Sequence, residues 1–212
     1  MTPQTQVMLP ADEAMRARHA VRKYQPGVAI PEAELNEILE LAGTAPSSWN
    51  LQHWRFLVVQ KQQNKDRLLP IAYNQQQVVD CSAVIIMLGD LEANKSFADV
   101  YGPAVKAGAL PQHAYDTLLE NVNAAYSGDK QVAIDEANRN AALAAMQLML
   151  AAKAKGYDTV PMGGFDRARL VEELNIPSRY VPVMMICLGK AAAPAHATGR
   201  FPLDKLVIKE SF

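Results

Sequence analysis

Apolar residues are concentrated in one stretch of the second half of the chain. Between residues 141 and 152, Gln147 is the single polar side chain. The stretch is rich in Ala, Leu and Met, which favour helix, and it contains neither Gly nor Pro. Because a helix that is apolar on every side has to be buried on every side, the pattern predicts a central core helix. These 12 residues are too few to span a bilayer.

The residues after this helix form a compact pattern of cap, strand and turn. Gly156 suits the position that ends a helix, and residues 158–160 indicate a short strand. Gly163 and Gly164 then predict a turn whose backbone can approach a flat ligand closely. Asp166 is a suitable N-cap for the next helix. The alternative is an ordinary helix–strand unit with a tight turn and no ligand.

The remaining apolar patterns alternate between helical and extended periods. Helices are expected at residues 11–18, 32–42, 65–73, 115–125 and 167–174, and strands at residues 55–60, 83–88 and 180–188. Between residues 89 and 128 the pattern weakens, and we interpret this region as a lid-like insertion. A chain that mixes helices with about four strands predicts an α+β domain with helices covering a sheet.

Composition narrows the class of protein. The chain has 212 residues, half of them hydrophobic, which predicts one domain over residues 1–212. A formal net charge of −1 gives no general attraction to nucleic acid or to acidic membranes. The first residues, MTPQTQVMLP, show no signal-peptide pattern, and no apolar run reaches transmembrane length. We expect a soluble cytoplasmic protein in which Cys81 and Cys187 are buried small hydrophobic residues.

The sequence lacks the signatures of several common active sites. The four histidines are scattered, without metal-ligand spacing and without a partnered nucleophile. There is neither a GxGxxG fingerprint nor a phosphate-binding GxxxxGK[ST] motif.

Arg18 and Arg22 are the more informative charged pair. In a helix they share a face, and in an extended segment Arg18, Ala20 and Arg22 also share a face. Two guanidiniums on one face, beside His19 and Lys23, could hold a phosphate through charge-assisted hydrogen bonds. The alternative is a basic helix end with solvated arginines.

Three other segments offer polar groups but also have simpler explanations. Residues 46–50 combine two hydroxyls, an amide and an indole, which could hold a planar polar ligand or form a surface loop. The four amides of residues 74–77 more often form a solvated helix face. Arg200 alone is an isolated charge in a tail without clear periodicity.

Taken together, these pieces resemble the FMN-dependent nitroreductase family. The matching stretches are RHAVRKY, APSSWNLQHWRFLVV, AYNQQQVVDCSAVIIMLGD, GYDTVPMGGFD after the alanine-rich helix, RYVPVMMICLGKAA and GRFPL. Each stretch is weakly specific alone, but they occur in family order and cover most of the chain outside residues 90–130.

The resemblance implies an α+β fold around a mostly antiparallel sheet, in a homodimer that exchanges C-terminal arms (residues 190–212). It implies two FMN sites at the subunit interface, with NADH or NADPH as electron donor. The residues expected to bind FMN are Arg18, His19, Ala20, Arg22, Pro46, Ser47, Ser48, Asn50, Asn74, Gln77, Gly163, Gly164 and Arg200.

By the same resemblance these residues divide into groups. Arg18, His19 and Ala20 would lie at the phosphate and ribityl chain, and Arg200 would close on the phosphate. Residues 46–50 would come from the other subunit. Asn74 and Gln77 would meet the polar edge of the flavin and its ribityl hydroxyls. No protein nucleophile is expected; Arg22, Gly163 and Gly164 would tune the flavin.

The chain departs from the family pattern at a few positions. Ala20 stands where many members have Ser, and Gly163 replaces an acidic residue found in several members. Gln77 and Thr198 occupy positions that can be Lys. FMN binding should survive these changes, whereas the nicotinamide preference and the electron acceptor stay open.

The implied activity is a ping-pong reduction of nitroaromatic or quinone-type acceptors by NAD(P)H. Two other readings are compatible with the same residues. One is a relative that oxidises a substrate and passes electrons to O₂. The other is an FMN-binding protein without turnover.

Overall fold

The computed structural model describes residues 8–212, so most of the N-terminal segment in which no signal peptide is predicted lies outside the described residues. Strands are β1 (Trp54–Val59), β2 (Ala83–Asp90), β3 (Asp158–Met162) and β4 (Tyr180–Gly189). Helices are α1 (Ala11–Ala17), α2 (Glu32–Gly43), α3 (Gln62–Ile71), α4 (Gln77–Asp80), α5 (Phe97–Lys106), α6 (Gln112–Ser127), α7 (Lys130–Ala154) and α8 (Arg167–Glu173). Short 3₁₀ turns occupy Ser48–Asn50, Ala93–Ser96 and Leu203–Lys205.

The four strands form one antiparallel sheet in the order β1-β2-β4-β3. Every residue of β2 is buried because this central strand is covered on both faces. One face packs against α2 and α7, and the other carries a second apolar cluster that includes Val21, Leu68 and Phe165. The predicted α+β class with a mostly antiparallel sheet is therefore confirmed.

Helix α7 is twice as long as the predicted core helix, with 25 residues. It begins after Asp129, whose side chain accepts a hydrogen bond from the Gln131 backbone N–H. It ends as predicted, since Gly156 adopts a positive φ of 73° beyond its last turn. The added N-terminal half is amphipathic rather than apolar, which explains why the apolar run alone did not reveal it.

The expectation that this helix is buried on every side is wrong for the single chain. Leu143 and Met146 are 43% and 42% exposed. On the opposite side Ala141, Ala144 and Ala145 are buried against the sheet and α2. The single polar side chain of the run also has a partner, because the Gln147 side-chain amide donates to the Leu41 carbonyl at 2.7 Å.

Close contact between α7 and the sheet depends on Gly89 of β2. A Cβ atom at this position would lie 2.8 Å from the Ala137 carbonyl oxygen. Any other residue would push α7 away from β2 or distort the strand, so the glycine fixes the depth at which the helix lies.

The residues between β2 and α7 form helices α5 and α6. They enclose a third apolar cluster of Leu51, Ala93, Phe97 and Val122, against which Trp49 and several tyrosines pack. Tyr101 also donates its hydroxyl hydrogen to the Trp49 carbonyl at 3.0 Å. This helical pair therefore lies directly against the loop of residues 46–50.

Both cysteines are buried and unpaired, as predicted from their apolar surroundings. Within residues 8–212, no helix is long and apolar enough to cross a membrane.

Candidate functional site

The segment of residues 18–24 is extended, which decides between the two conformations that the sequence allowed. Helix α1 ends at Ala17, and Arg18 already has extended backbone angles. Ala20 then forms a parallel bridge to Thr159 of β3, and the Val21 N–H donates to the Thr159 carbonyl at 3.1 Å. Arg18, Ala20 and Arg22 thus alternate along one short extended run at the edge of the sheet.

The far end of this segment is fixed by residues that follow β4. Tyr24 forms an antiparallel bridge to Ala191, and the Ala192 N–H donates to the Lys23 carbonyl at 2.8 Å. The buried Tyr24 hydroxyl donates to the Cys187 carbonyl at 3.1 Å. The segment is therefore held along its length before any ligand binds.

The basic side chains of the segment remain available. Arg22 and His19 are exposed and Arg18 is half-buried. Neither Arg18 nor Arg22 forms an ion pair within residues 8–212. Two guanidiniums without acidic partners on a fixed backbone suit a dianionic group such as a phosphate.

A second part of the site joins the amide-rich turn to the glycine turn. The Gln75 side-chain amide donates to the Gly164 carbonyl at 2.8 Å. The buried Gln77 amide donates to the Gln75 side-chain oxygen at 3.1 Å and contacts the Met162 sulfur at 3.6 Å. Asn74 is exposed and has a positive φ of 56°. The structure thus joins Gln75 to Gly164 and places Gln77 against Met162, which precedes Gly163, while Asn74 adjoins Gln75 in the chain.

The surface at the two glycines is open. A Cβ atom at Gly163 would meet nothing within 4 Å, and one at Gly164 would meet only the Gln75 amide nitrogen at 3.7 Å. The N–H groups of Gly163 and Gly164 donate to no backbone acceptor in the described part of the chain. The turn therefore presents two free hydrogen-bond donors on a surface without side chains, which fits the polar edge of a flat ring system.

The two parts are separated by the length of β3. Gly163 follows Thr159 by four residues, which corresponds to ~13 Å along an extended strand. An elongated ligand with an anionic end and a planar end matches this spacing, and FMN has that form.

The loop of residues 46–50 is held in an unusual conformation on another part of the molecule. Trp49 and Asn50 have positive φ angles of 49° and 52°. The Ser48 N–H donates to the Asn140 side-chain oxygen at 2.9 Å, and Asn140 in turn donates to Glu136. The Ser47 hydroxyl accepts from the Gln52 N–H at 3.0 Å. Contacts with α7 therefore hold the loop in shape.

Pro46 and Asn50 lie exposed at the two ends of this loop, and Ser47 and Ser48 are half-buried between them. Arg200 is also exposed, and its side chain contacts Thr198 at 3.1 Å and the Gly199 carbonyl at 2.8 Å. Among the described residues of the single chain, the hydrogen bonds of residues 46–50 and of Arg200 do not connect them to the glycine turn or to residues 18–24.

Three residues of this arrangement were not among the predicted site residues. Gln75 bonds the glycine turn, and Asn140 and Glu136 support the serine loop. Gln75 belongs to the run of four amides, so its sequence position was a usable signal. Asn140 is 92 residues from Ser48, and nothing local indicates the pairing.

A buried histidine connects this region to α6. His53 is fully buried, and its Nε2 atom lies 2.7 Å from the Tyr126 hydroxyl. Its Nδ1 atom is buried without a hydrogen-bond partner among the described residues. Burial lowers the pKa of His53, although the nearby carboxylates Glu136 and Asp90 act in the opposite direction.

This histidine predicts a specific acid sensitivity. Because its folded-state pKa lies below the unfolded value, its stabilising effect is complete above about pH 6.5 and decreases as the pH falls below that value. The free energy of unfolding should therefore fall more steeply between pH 7 and pH 5 in the wild type than in His53→Gln, which can still bond Tyr126. Urea unfolding at several pH values measures this, and parallel curves for the two proteins would contradict it.

Comparisons with known proteins point to one family. The model of the Nitroreductase family matches residues 15–190. The chain is 48% identical to a Bacillus subtilis protein named "Putative NAD(P)H nitroreductase YodC" over 92% of this chain and 96% of that relative. It is 34% identical to the "CLA biosynthesis enone reductase" of Lactiplantibacillus plantarum, over 88% of each chain.

Solved structures agree with these sequence relatives. A crystal structure from Exiguobacterium sibiricum, described as "a putative nitroreductase in complex with FMN", superposes with a TM-score of 0.89 and 36% identity. The match covers 98% of this chain and 100% of that chain. Fold, family model and relatives agree, so the chain belongs to the nitroreductase family.

Proposed function

We propose that the enzyme reduces nitroaromatic or quinone-type acceptors with NAD(P)H in a ping-pong cycle. The observation that carries this proposal is the open glycine turn at one end of β3, with the extended segment that carries the unpaired Arg18 bridged to β3 nearer its other end. When bound there, FMN supplies the hydride chemistry by accepting two electrons from the nicotinamide and passing them to the acceptor. The exposed glycines leave one face free for flat molecules, so donor and acceptor would use the same place in turn.

Each part of the chain has a proposed role toward the cofactor. Arg18, with the backbone of His19 and Ala20, would bind the phosphate end, because its guanidinium has no acidic partner in residues 8–212. Arg22 would face the pyrimidine edge and favour added negative charge there. Gly163 and Gly164 would donate their free N–H groups to the ring edge, and Asn74 and Gln77 would bind polar groups beside it.

The complete site is proposed to need two subunits. Pro46, Ser47, Ser48 and Asn50, together with Arg200, would be brought to residues 18–24 of the partner by dimerisation. Two exposed apolar surfaces support a homodimer. The first is Leu143 and Met146 on α7, and the second is the tail, in which Phe201 and Leu206 are exposed. The C-terminal arm would extend over the other subunit.

Helices α5 and α6 are proposed to form a lid over the acceptor site. Their aromatic cluster, with Phe97 5.0 Å from Tyr115 between ring centroids, packs against the loop that carries Trp49. Differences in this region between relatives would change which acceptor fits. We also place the enzyme in the cytoplasm, since two unpaired cysteines suit a reducing compartment.

A bleaching experiment tests the proposed activity. The purified protein should be yellow, and anaerobic NADH or NADPH should remove the oxidised-flavin absorbance within seconds. Adding a nitroaromatic, a quinone or an enone to the bleached protein should restore the colour, and the fastest acceptor identifies the substrate class. The enone is included because of the relative from Lactiplantibacillus plantarum.

Two outcomes would favour the alternatives. A yellow protein that neither nicotinamide bleaches would indicate an oxidase of another substrate or an FMN-binding protein without turnover. A protein that bleaches but regains colour only with O₂ would exclude the proposed acceptors.

A further inference from the structure

The two cysteines lie in the same apolar cluster on the face of the sheet opposite α7. Cys187 on β4 directs its thiol to the Met162 sulfur at 3.6 Å. The Cys81 thiol, just before β2, lies 3.2 Å from the Ala83 carbonyl oxygen and 3.5 Å from the Val78 carbonyl oxygen. Cys187 pairs across the sheet with Val84, which follows Cys81 by three residues, so the two cysteines belong to adjoining segments of one cluster. Neither belongs to the proposed flavin site.

A buried lysine accompanies this thiol pair. Lys65 of α3 is 4% exposed, and its ammonium group donates to the carbonyl oxygens of Cys81 at 2.5 Å and Val79 at 3.1 Å. Lys65 has no carboxylate partner within residues 8–212. A buried lysine is normally paired with an acid, because an uncompensated charge is costly in a core. Here the groups near it that can become negative are the thiols.

A small cavity leads to Cys81. It has a volume of about 160 Å³, and its lining includes Gln62, Lys65, Cys81 and Ser82. One water occupies about 30 Å³ in the liquid, so the cavity accommodates a molecule of a few heavy atoms. The Cys187 thiol lies behind Cys81 and is not part of the lining. A small reagent would therefore meet Cys81 first.

We propose that Cys81 is a reaction site for small hydroperoxides and that Cys187 is its resolving thiol. With hydrogen peroxide, the Cys81 sulfur attacks one peroxide oxygen, the O–O bond breaks, and the other oxygen leaves as water after taking a proton; an organic hydroperoxide releases an alcohol instead. Cys81 becomes a sulfenic acid. The Cys187 sulfur then attacks the Cys81 sulfur, the S–O bond breaks, and a second water leaves. The two thiols give up two electrons to the hydroperoxide, and an intramolecular disulfide remains.

The electrostatics favour this order of events. Cys187 and Lys65 lower the pKa of the Cys81 thiol, although burial opposes them. Cys81 and burial raise the pKa of Cys187 well above its ordinary value. Since the thiolate is the nucleophile, Cys81 is the better first attacker and Cys187 stays protonated until Cys81 has been oxidised.

Thiol counting on the holoprotein tests the proposal. The protein is reduced, desalted and treated with hydrogen peroxide in the absence of NAD(P)H, so that the flavin stays oxidised. It is then unfolded in N-ethylmaleimide and weighed intact. Before peroxide, both cysteines should carry an adduct. Afterwards neither should, and the chain should be lighter by two hydrogens without forming a covalent dimer. Bulky cumene hydroperoxide should react more slowly.

Two matched serine variants assign the roles. Cys187→Ser should accumulate a sulfenic acid on Cys81 that dimedone labels, because no resolving thiol is present. Cys81→Ser should take no dimedone under the same conditions. Label on Cys187 in the second variant would overturn the assignment, as would two surviving maleimide adducts or disulfide-linked dimers in the treated wild type.

The lysine provides an independent test. Lys65→Gln should slow peroxide oxidation roughly tenfold, because the lysine charge lowers the pKa of the Cys81 thiol and so favours the reactive thiolate. Lys65→Arg keeps the charge and should recover most of the rate. If Lys65→Gln reacts as fast as the wild type, the lysine has no part in activating Cys81, and that part of the proposal is wrong.

Discussion

The Arg18→Ala variant is expected to purify largely colourless, because Arg18 is proposed to be a charge-assisted partner of the FMN phosphate. A hydrogen bond to a charged group contributes about 1.5–3 kcal/mol, which corresponds to a roughly tenfold to hundredfold loss in FMN affinity. The extended backbone of residues 18–24 is fixed by Thr159 and by Ala191 and Ala192, so the substitution should leave the fold intact. Excess FMN should restore near-normal turnover.

Arg22→Gln is the matched comparison for this prediction. Arg22 is proposed to favour the reduced flavin rather than to hold the phosphate, so the variant should stay mostly yellow. Its flavin should have a lower reduction potential and should bleach more slowly with NAD(P)H. FMN titration, potentiometry and single-turnover reduction measure the three quantities. If Arg22→Gln loses FMN as severely as Arg18→Ala and its remaining holoprotein reduces normally, both arginines are simply phosphate ligands.

Removal of the C-terminal arm should abolish the proposed homodimer and release FMN together. Truncation after Ala193 keeps the hydrogen bond from Ala192 to Lys23, so it removes the arm without removing the support of residues 18–24. The deleted part contains Phe201, Leu203 and Leu206, all strongly exposed in the single chain. Burial of each such side chain against the other subunit contributes about 1.5–3 kcal/mol. Losing all three together should therefore prevent the proposed two-subunit site from forming.

Sedimentation and FMN titration on the truncated chain measure both effects. A second variant, Phe201→Ser with Leu206→Ser in the full-length chain, should weaken the dimer in the same direction. A truncated protein that remains dimeric and binds FMN normally would contradict the role proposed for the arm.

The sequence predicted those parts of the fold that depend on local patterns. The strands β2 and β4 are continuous apolar runs, and both lie in the middle of the sheet. Asp166 caps α8 by accepting from the Arg169 N–H at 3.0 Å, as its position suggested. These features depend on residues that are close together in the chain, so they can be recognised from one sequence.

Features that depend on distant residues could not be predicted in this way. The first half of α7 is amphipathic. It becomes recognisable as part of the helix only from the close contact between Ala137 and Gly89 in the folded chain. The exposed face around Leu143 was unexpected because an apolar pattern does not tell a chain's own core from a surface left for another molecule.

The candidate site also combines features set by neighbouring residues with features set by distant ones. The cationic segment and the glycine turn are each readable from a few adjacent residues. Other parts of the site depend on the packing of elements that are far apart in the chain. This packing brings Thr159 beside Ala20 and Asn140 to the Ser48 N–H. The resemblance to a family supplied the grouping of these residues, which residue chemistry alone left open.

The pairing of residues 23–25 with residues 190–192 has a consequence for how the protein is made. Residues 18–24 leave the ribosome early, but their backbone partners come from β3 and from the residues after β4. Strand β4 itself lies between β2 and β3, so the sheet has a gap until residues 180–189 have emerged. Because contacts between distant residues form late, the segment proposed to bind the phosphate should take shape only when translation is nearly complete. FMN loading would then follow synthesis rather than accompany it, and a chain stalled before residue 180 would be unable to retain the cofactor.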